Sequence, residues 1–166
     1  DRVAKPLLPL AGRPMLDYLY DRIAEVGEVD EVHVVTNSRF AADFRDWART
    51  VERAVPVLVH DDGTTSNDDR LGAVGDMSFA VERGGLEGED LLVVAGDNLI
   101  GYRLDELVSF WRAKGEGAAT AVHRVSDTEL IKQYGVVELD ENDRVVSLEE
   151  KPSEPLSDLA ATAAYL

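Results

Sequence analysis

The chain has no cysteine, which excludes a disulfide framework and any Cys-ligated zinc site and leaves the redox compartment open. It also lacks a long apolar run: no stretch approaches the roughly 18 consecutive apolar residues of a membrane span. Residues 1–6 carry no apolar signal-peptide core. The default expectation is a cytoplasmic protein with no membrane partner. Positive charge is scarce as well, with 17 Lys and Arg against 33 Asp and Glu and a formal charge of −16. That balance opposes a nonspecific nucleic-acid binder, which needs a basic face. An anionic substrate would have to be met by a few local cations against a repulsive field.

What remains is ordinary for a globular domain: 166 residues, 45% apolar and 30% charged, long enough for one core and without an evident linker. The chain opens inside a polar turn and stops within the apolar run Ala163-Ala164-Tyr165-Leu166, so a piece of a longer polypeptide is expected. Internal repeats and low-complexity tracts are absent.

The most informative stretch is Leu91-Leu92-Val93-Val94-Ala95-Gly96-Asp97-Asn98-Leu99-Ile100. Its aliphatic first half reads as a strand buried on both faces of a parallel sheet. Asp97 then falls at the carboxyl edge, where open α/β sheets place ligands. A carboxylate there suits Mg²⁺, which takes one or two carboxylates plus phosphate oxygens and water. The alternative is a carboxylate that only caps the next turn.

Upstream, three prolines in Lys5-Pro6-Leu7-Leu8-Pro9-Leu10-Ala11-Gly12-Arg13-Pro14 forbid regular helix or central strand and predict a tight loop. Lys5 in such a loop is either a pre-positioned point charge for a phosphate or a solvated surface group. Leu16, Leu19, Tyr20, Ile23 and Val26 recur at helical spacing up to Gly27. A strand is expected over 31–36, a helix over 39–53 behind an Asn37-Ser38 cap, a strand over 57–60, and a helix over 71–82. Between the last two lies the polar loop 61–69; its Gly63, with Gly72 and Gly75, could wrap a base but matches no Walker or dinucleotide pattern. A helix over 104–113, a strand over 118–125 and a hairpin of 135–139 with 145–148 follow. Alternating strand and helix predict an α/β fold of three-layer Rossmann-like form, with a mixed, mostly parallel sheet and helices on both faces. Ser147-Leu148-Glu149-Glu150-Lys151-Pro152 ends a strand in adjacent acid and base, able to serve sugar hydroxyls and a phosphate or simply to be solvated. Gly135, after Tyr134, allows close approach of a ligand. His33 lies within a strand and His60 and His123 stand apart, so a Ser/His/Asp grouping is not evident.

In this order the segments resemble the sugar-phosphate nucleotidylyltransferases, the group that includes glucose-1-phosphate thymidylyl- and uridylyltransferases. Residues 5–15 look like that family's K-P-L-L-P-V-x-x-[KR]-P-M, Gly96-Asp97-Asn98 its G-D-N, Tyr134-Gly135-Val136 its Y-G-V, and Glu150-Lys151-Pro152 its E-K-P. The resemblance covers the whole chain and implies transfer of NMP from an NTP to a sugar 1-phosphate, yielding NDP-sugar and pyrophosphate. It implies Lys5 on the phosphates, Asp97 on Mg²⁺, and Asn98 near the sugar. Tyr134, Gly135 and Glu150 would lie at the sugar, Lys151 at its phosphate, and Gly72 in a variant of the base-contacting L-G-T, with Ala73 where Thr is common. A homo-oligomer stays open.

Three departures accompany it. The family's G-x-G-T-R loop, upstream of the Lys-Pro stretch, is not in the sequence, nor is the second metal-binding Asp that lies beyond E-K-P. The usual T-G before the final Tyr is Thr162-Ala163. Residues 1–166 are therefore expected to be an incomplete nucleotidylyltransferase-like domain of a sugar-1-phosphate nucleotidylyltransferase, the activity of residues 1–166 by themselves staying open. The alternatives are a degenerate regulatory or effector-binding homologue, or a cytidylyltransferase acting on an alcohol phosphate.

Overall fold

A computed structural model describes residues 3–50, 52–66, 68–115 and 117–166. Residues 1 and 2 of the N-terminal stretch, Val51 of the expected second helix and Asn67 of the polar loop lie outside the described residues. The chain forms two compact units, the first running up to Asp90 and including Gly96–Glu106, the second made of Leu91–Ala95 and Leu107–Leu166.

In the first unit the proline-rich stretch becomes a single 3₁₀ turn, Lys5–Leu7, and a minimal antiparallel pair, β1 (Pro9–Leu10) with β2 (Arg13–Pro14). Ala11 and Gly12 turn the chain at φ +47° and +91°. Helix α1 (Met15–Ala24) starts behind Pro14 and buries Leu16, Leu19, Tyr20 and Ile23, the stripe expected from spacing. The Tyr20 hydroxyl clasps residue 55, donating to Val55 O at 2.9 Å and accepting from Val55 N at 2.8 Å. Strand β3 (Val32–Thr36) leads to α2 (Ala41–Thr50), which buries Ala41, Phe44 and Trp47. The predicted Asn37 cap is present, its Oδ1 accepting from Phe40 N. The helix is described to Thr50, and Glu52 and Arg53 of the expected span are not helical. Arg53 is instead 4.0 Å over the Trp47 ring and 4.6 Å over Tyr20, and donates to Asp17, which also accepts from Trp47 Nε1. Strand β4 (Val57–Asp61) runs parallel to β3, with Val34 opposite Val59, and α3 (Gly72–Gly84) follows.

The second unit is built on a five-stranded sheet, to which α4 (Leu104–Lys114) contributes from Leu107 onward. Its strands are β5 (Val93–Val94), β6 (Thr120–Arg124), β7 (Gly135–Leu139), β8 (Val145–Glu150) and β9 (Leu159–Tyr165). Strand β9 pairs with β5, β6 and β7, and β7–β8 is the predicted hairpin; all these ladders are antiparallel. Ala160 and Ala164 of β9 are fully buried, and Ala160 packs with Val125, Ile131 and Val136.

The α/β class holds, but the expected mostly parallel sheet reduces, among the described residues, to the β3–β4 pair. The run Leu91–Ala95 is also corrected. Only Val93–Val94 is strand, half-buried rather than covered on both faces, and its partner is antiparallel β9. The physical reason is that a strand's hydrophobicity specifies burial without specifying which distant strand supplies its hydrogen bonds.

Candidate functional site

Each unit holds one set of candidate side chains. In the first, Lys5 is set by its 3₁₀ turn, closed by Leu7 N to Ala4 O and Leu8 N to Lys5 O. The turn at Gly96-Asp97 runs beside it, since a Cβ built on Gly96 would lie 3.8 Å from Pro6 Cγ. Lys5 Nζ donates to Asp97 Oδ2 at 2.7 Å, across 92 positions of sequence. The two side chains are 67% and 45% exposed. An ion pair this exposed stabilises the fold by at most about 1 kcal/mol, so exchanging it for a phosphate and a cation costs little. Among the described residues no three His, Cys, Asp or Glu side chains gather as a metal cage. A single accessible carboxylate suits a hard cation that takes its other ligands from phosphate and water. Asn98 adjoins Asp97 in the same turn region.

Gly72 opens α3 at φ +77°. The preceding polar loop is held by its own aspartates. Asp61 accepts from Ser38 Oγ and Gly63 N, and Asp62 accepts from both Thr64 N and Thr64 Oγ1 at 2.7 Å. Asp69 accepts from the backbone and hydroxyls of Thr65 and Ser66, and the two backbone donors above all pull its pKa down to about 2. This carboxylate is a turn organiser.

In the second unit, Gly135 of β7 faces Glu150 of β8 in register. A Cβ on Gly135 would come within 3.1 Å of Glu150 Oε2, so the absent side chain leaves that carboxylate its place. Lys151 follows at φ +50°, its N–H donating to Tyr134 O at 2.9 Å and its Nζ 3.6 Å from Glu150 Oε1. The left-handed conformation of a non-glycine residue is strained, and here it ends the strand where acid and base adjoin. The Tyr134 ring meets His123 edge-on at 5.9 Å.

Two features escaped the sequence. His33 and His60, read as separate, share a hydrogen bond of 2.7 Å between Nδ1 and Nε2, and His33 Nε2 lies 2.8 Å from Glu31 Oε1. Position 33 and position 60 fall on paired strands, which only the β3–β4 register could have told. Asp76, on the first turns of α3, carries a buried Oδ1 with no hydrogen-bond partner; four residues past Gly72, its helical spacing was the available signal.

The chain belongs to the nucleotidyl transferase family, whose model matches residues 1–166. Among its relatives, it is 34% identical over 166 residues to a glucose-1-phosphate thymidylyltransferase of Streptomyces antibioticus, covering 98% of this chain and 43% of that protein. It is 28% identical over 171 residues to a UTP–glucose-1-phosphate uridylyltransferase of Synechocystis sp., covering 99% of this chain and 43% of the relative. The fold matches a UDP-glucose pyrophosphorylase from Acinetobacter baumanii with a TM-score of 0.79 at 18% identity, over 99% of this chain and 67% of that one. The chain spans about half the length, or less, of the curated relatives it matches.

Proposed function

We propose that the protein transfers a nucleotidyl group from an NTP to a sugar 1-phosphate, yielding an NDP-sugar and pyrophosphate. The observation that carries this reading is the Lys5–Asp97 pair, which joins a phosphate-seeking cation to a carboxylate suited to a hard metal. A sugar-phosphate oxygen attacks the α-phosphorus in line, a new P–O bond forms, and the bond to the β-phosphate oxygen breaks with departure of pyrophosphate. The nucleophile is already anionic, so no general base is needed, and positioning and charge neutralisation carry the rate.

Lys5 binds NTP phosphate oxygens, leaving Asp97 as it does so. Asp97 would hold Mg²⁺, which when bound supplies positive charge to the phosphates. Asn98, Tyr134, Gly135 and Glu150 serve the sugar, Glu150 by accepting hydroxyl hydrogen bonds. Lys151 serves the sugar phosphate, and Gly72 lets the backbone approach the nucleotide. These substrates support a cytoplasmic location for the proposed reaction. No helix among the described residues is long and apolar enough to cross a membrane.

A panel of NTPs against sugar 1-phosphates and alcohol phosphates, with pyrophosphate release as readout, tests the reading on the intact protein. Release that depends on a sugar 1-phosphate is expected. Release only with an alcohol phosphate such as phosphocholine, or no release with any pair, would reject it.

A further inference from the structure

A buried polar atom without a partner calls for an explanation, because the great majority of such atoms in folded proteins are hydrogen-bonded. Asp76 Oδ1 is such an atom. Burial first, then the negative charge of Asp62 in the preceding loop, push the Asp76 pKa upward. Asp62 cannot turn away to relieve this, since one of its oxygens is held by Thr64 N and Thr64 Oγ1. Asp62 thus has donors of its own, while Asp76 Oδ1, which feels the Asp62 charge, has none. The pair is complementary to a ligand edge that brings N–H groups.

The position is informative. Asp76 lies four residues after Gly72 and three after Ala73, spacings that put all three on one side of α3. Ala73 offers no polar group. Gly75, just before Asp76, has no room for a side chain, since a Cβ there would lie 2.7 Å from Leu71 Cβ. The helix therefore presents one strong hydrogen-bonding group beside Gly72, and it is Asp76.

We propose that Asp76 is a specificity-determining residue that selects an NTP whose base carries an exocyclic amino group, guanine foremost; this rests on the nucleotide-binding role assigned to Gly72. A carboxylate accepts two parallel bonds from guanine N1–H and N2–H, and one from the amino group of cytosine or adenine. Uracil and thymine offer a single N3–H between two carbonyl oxygens, which both aspartates repel.

The test is NTP binding to the intact protein at mildly alkaline pH, wild type against Asp76→Asn. Wild type should bind GTP about tenfold or more tighter than UTP, the value of a charged hydrogen bond, and the variant should lose most of that preference. Without nucleotide, Asp76→Asn should melt at or above the wild-type temperature, because it removes a negative charge repelled by Asp62 and adds an N–H donor where none was present. A wild-type preference for UTP or dTTP, an unchanged preference in the variant, or a variant that melts several degrees lower would each overturn the proposal while leaving nucleotide binding intact. Failure of the wild type to bind any NTP would overturn the nucleotide reading and this one with it.

Discussion

At the scale of single residues, the backbone carries a cost at Ala163, which sits at φ +52° within β9. A left-handed conformation costs a Cβ-bearing residue about 1–2 kcal/mol, and glycine adopts it freely while losing more entropy on folding. The resembling sequence pattern has Gly at this place, and the conformation supplies the reason. Ala163 O also accepts from Ala95 N, so the strained residue helps align β5. Ala163→Gly is expected to stabilise the protein by about 0.5–1 kcal/mol, read as a higher denaturant midpoint at unchanged slope. A lower midpoint would mean that the methyl group's packing outweighs the strain. Lys151 has the same backbone conformation, at φ +50°.

Among the elements, the junction most open to test is β3 against β4. The His33 and His60 rings are inclined by only 4° with centroids 5.0 Å apart, a separation that matches a 2.7 Å bond plus the two ring radii. They lie edge to edge, joined along the bond, and not face to face. Glu31, just before β3, meets His33, and the charge of Arg83 on α3 reaches His60. Gly84 permits this packing, since a Cβ there would fall 2.6 Å from His33 Cε1. Burial first, then His33 and Arg83, depress the His60 pKa, with Glu31 opposing. The unfolded chain, with an ordinary value near 6.5, then takes up a proton that the folded chain refuses. The stability is fully present above about pH 6.5 and is lost as pH falls through that value toward the depressed one. The melting temperature should drop between about pH 7 and pH 5, and His60→Gln should flatten that drop; parallel pH profiles for the two proteins would contradict the assignment. The sequence showed α1, α2, β3, β4 and the β7–β8 hairpin because their periodicities are local. It concealed β9, whose Leu-Ala-Ala-Thr-Ala-Ala-Tyr is poor in strand-forming side chains, and whose role comes from three partners far away in sequence. The His33–His60 bond was hidden for the same reason.

For the molecule as a whole, the segments at Lys5, Asp97, Gly135 and Glu150-Lys151 could be read from motifs alone, whereas Asp76 could not, because an unsatisfied oxygen exists only in a folded structure. In the proposed reaction, the charge of −16 sets the overall field against anionic substrates, and local cations such as Lys5 and Lys151 would have to overcome it. That makes the Lys5–Asp97 pair the centre of the account: a cation kept ready by a carboxylate that can pass to a metal. The most direct test is Mg²⁺-dependent pyrophosphate release by the intact protein supplied with NTP and sugar 1-phosphate, comparing wild type with Asp97→Ala. The account predicts a loss of at least about 100-fold, the order of losing one strong electrostatic contact in the transition state, with the melting temperature within a degree or two because the broken pair is exposed. Turnover in Asp97→Ala equal to wild type, with the same dependence on Mg²⁺, would contradict it.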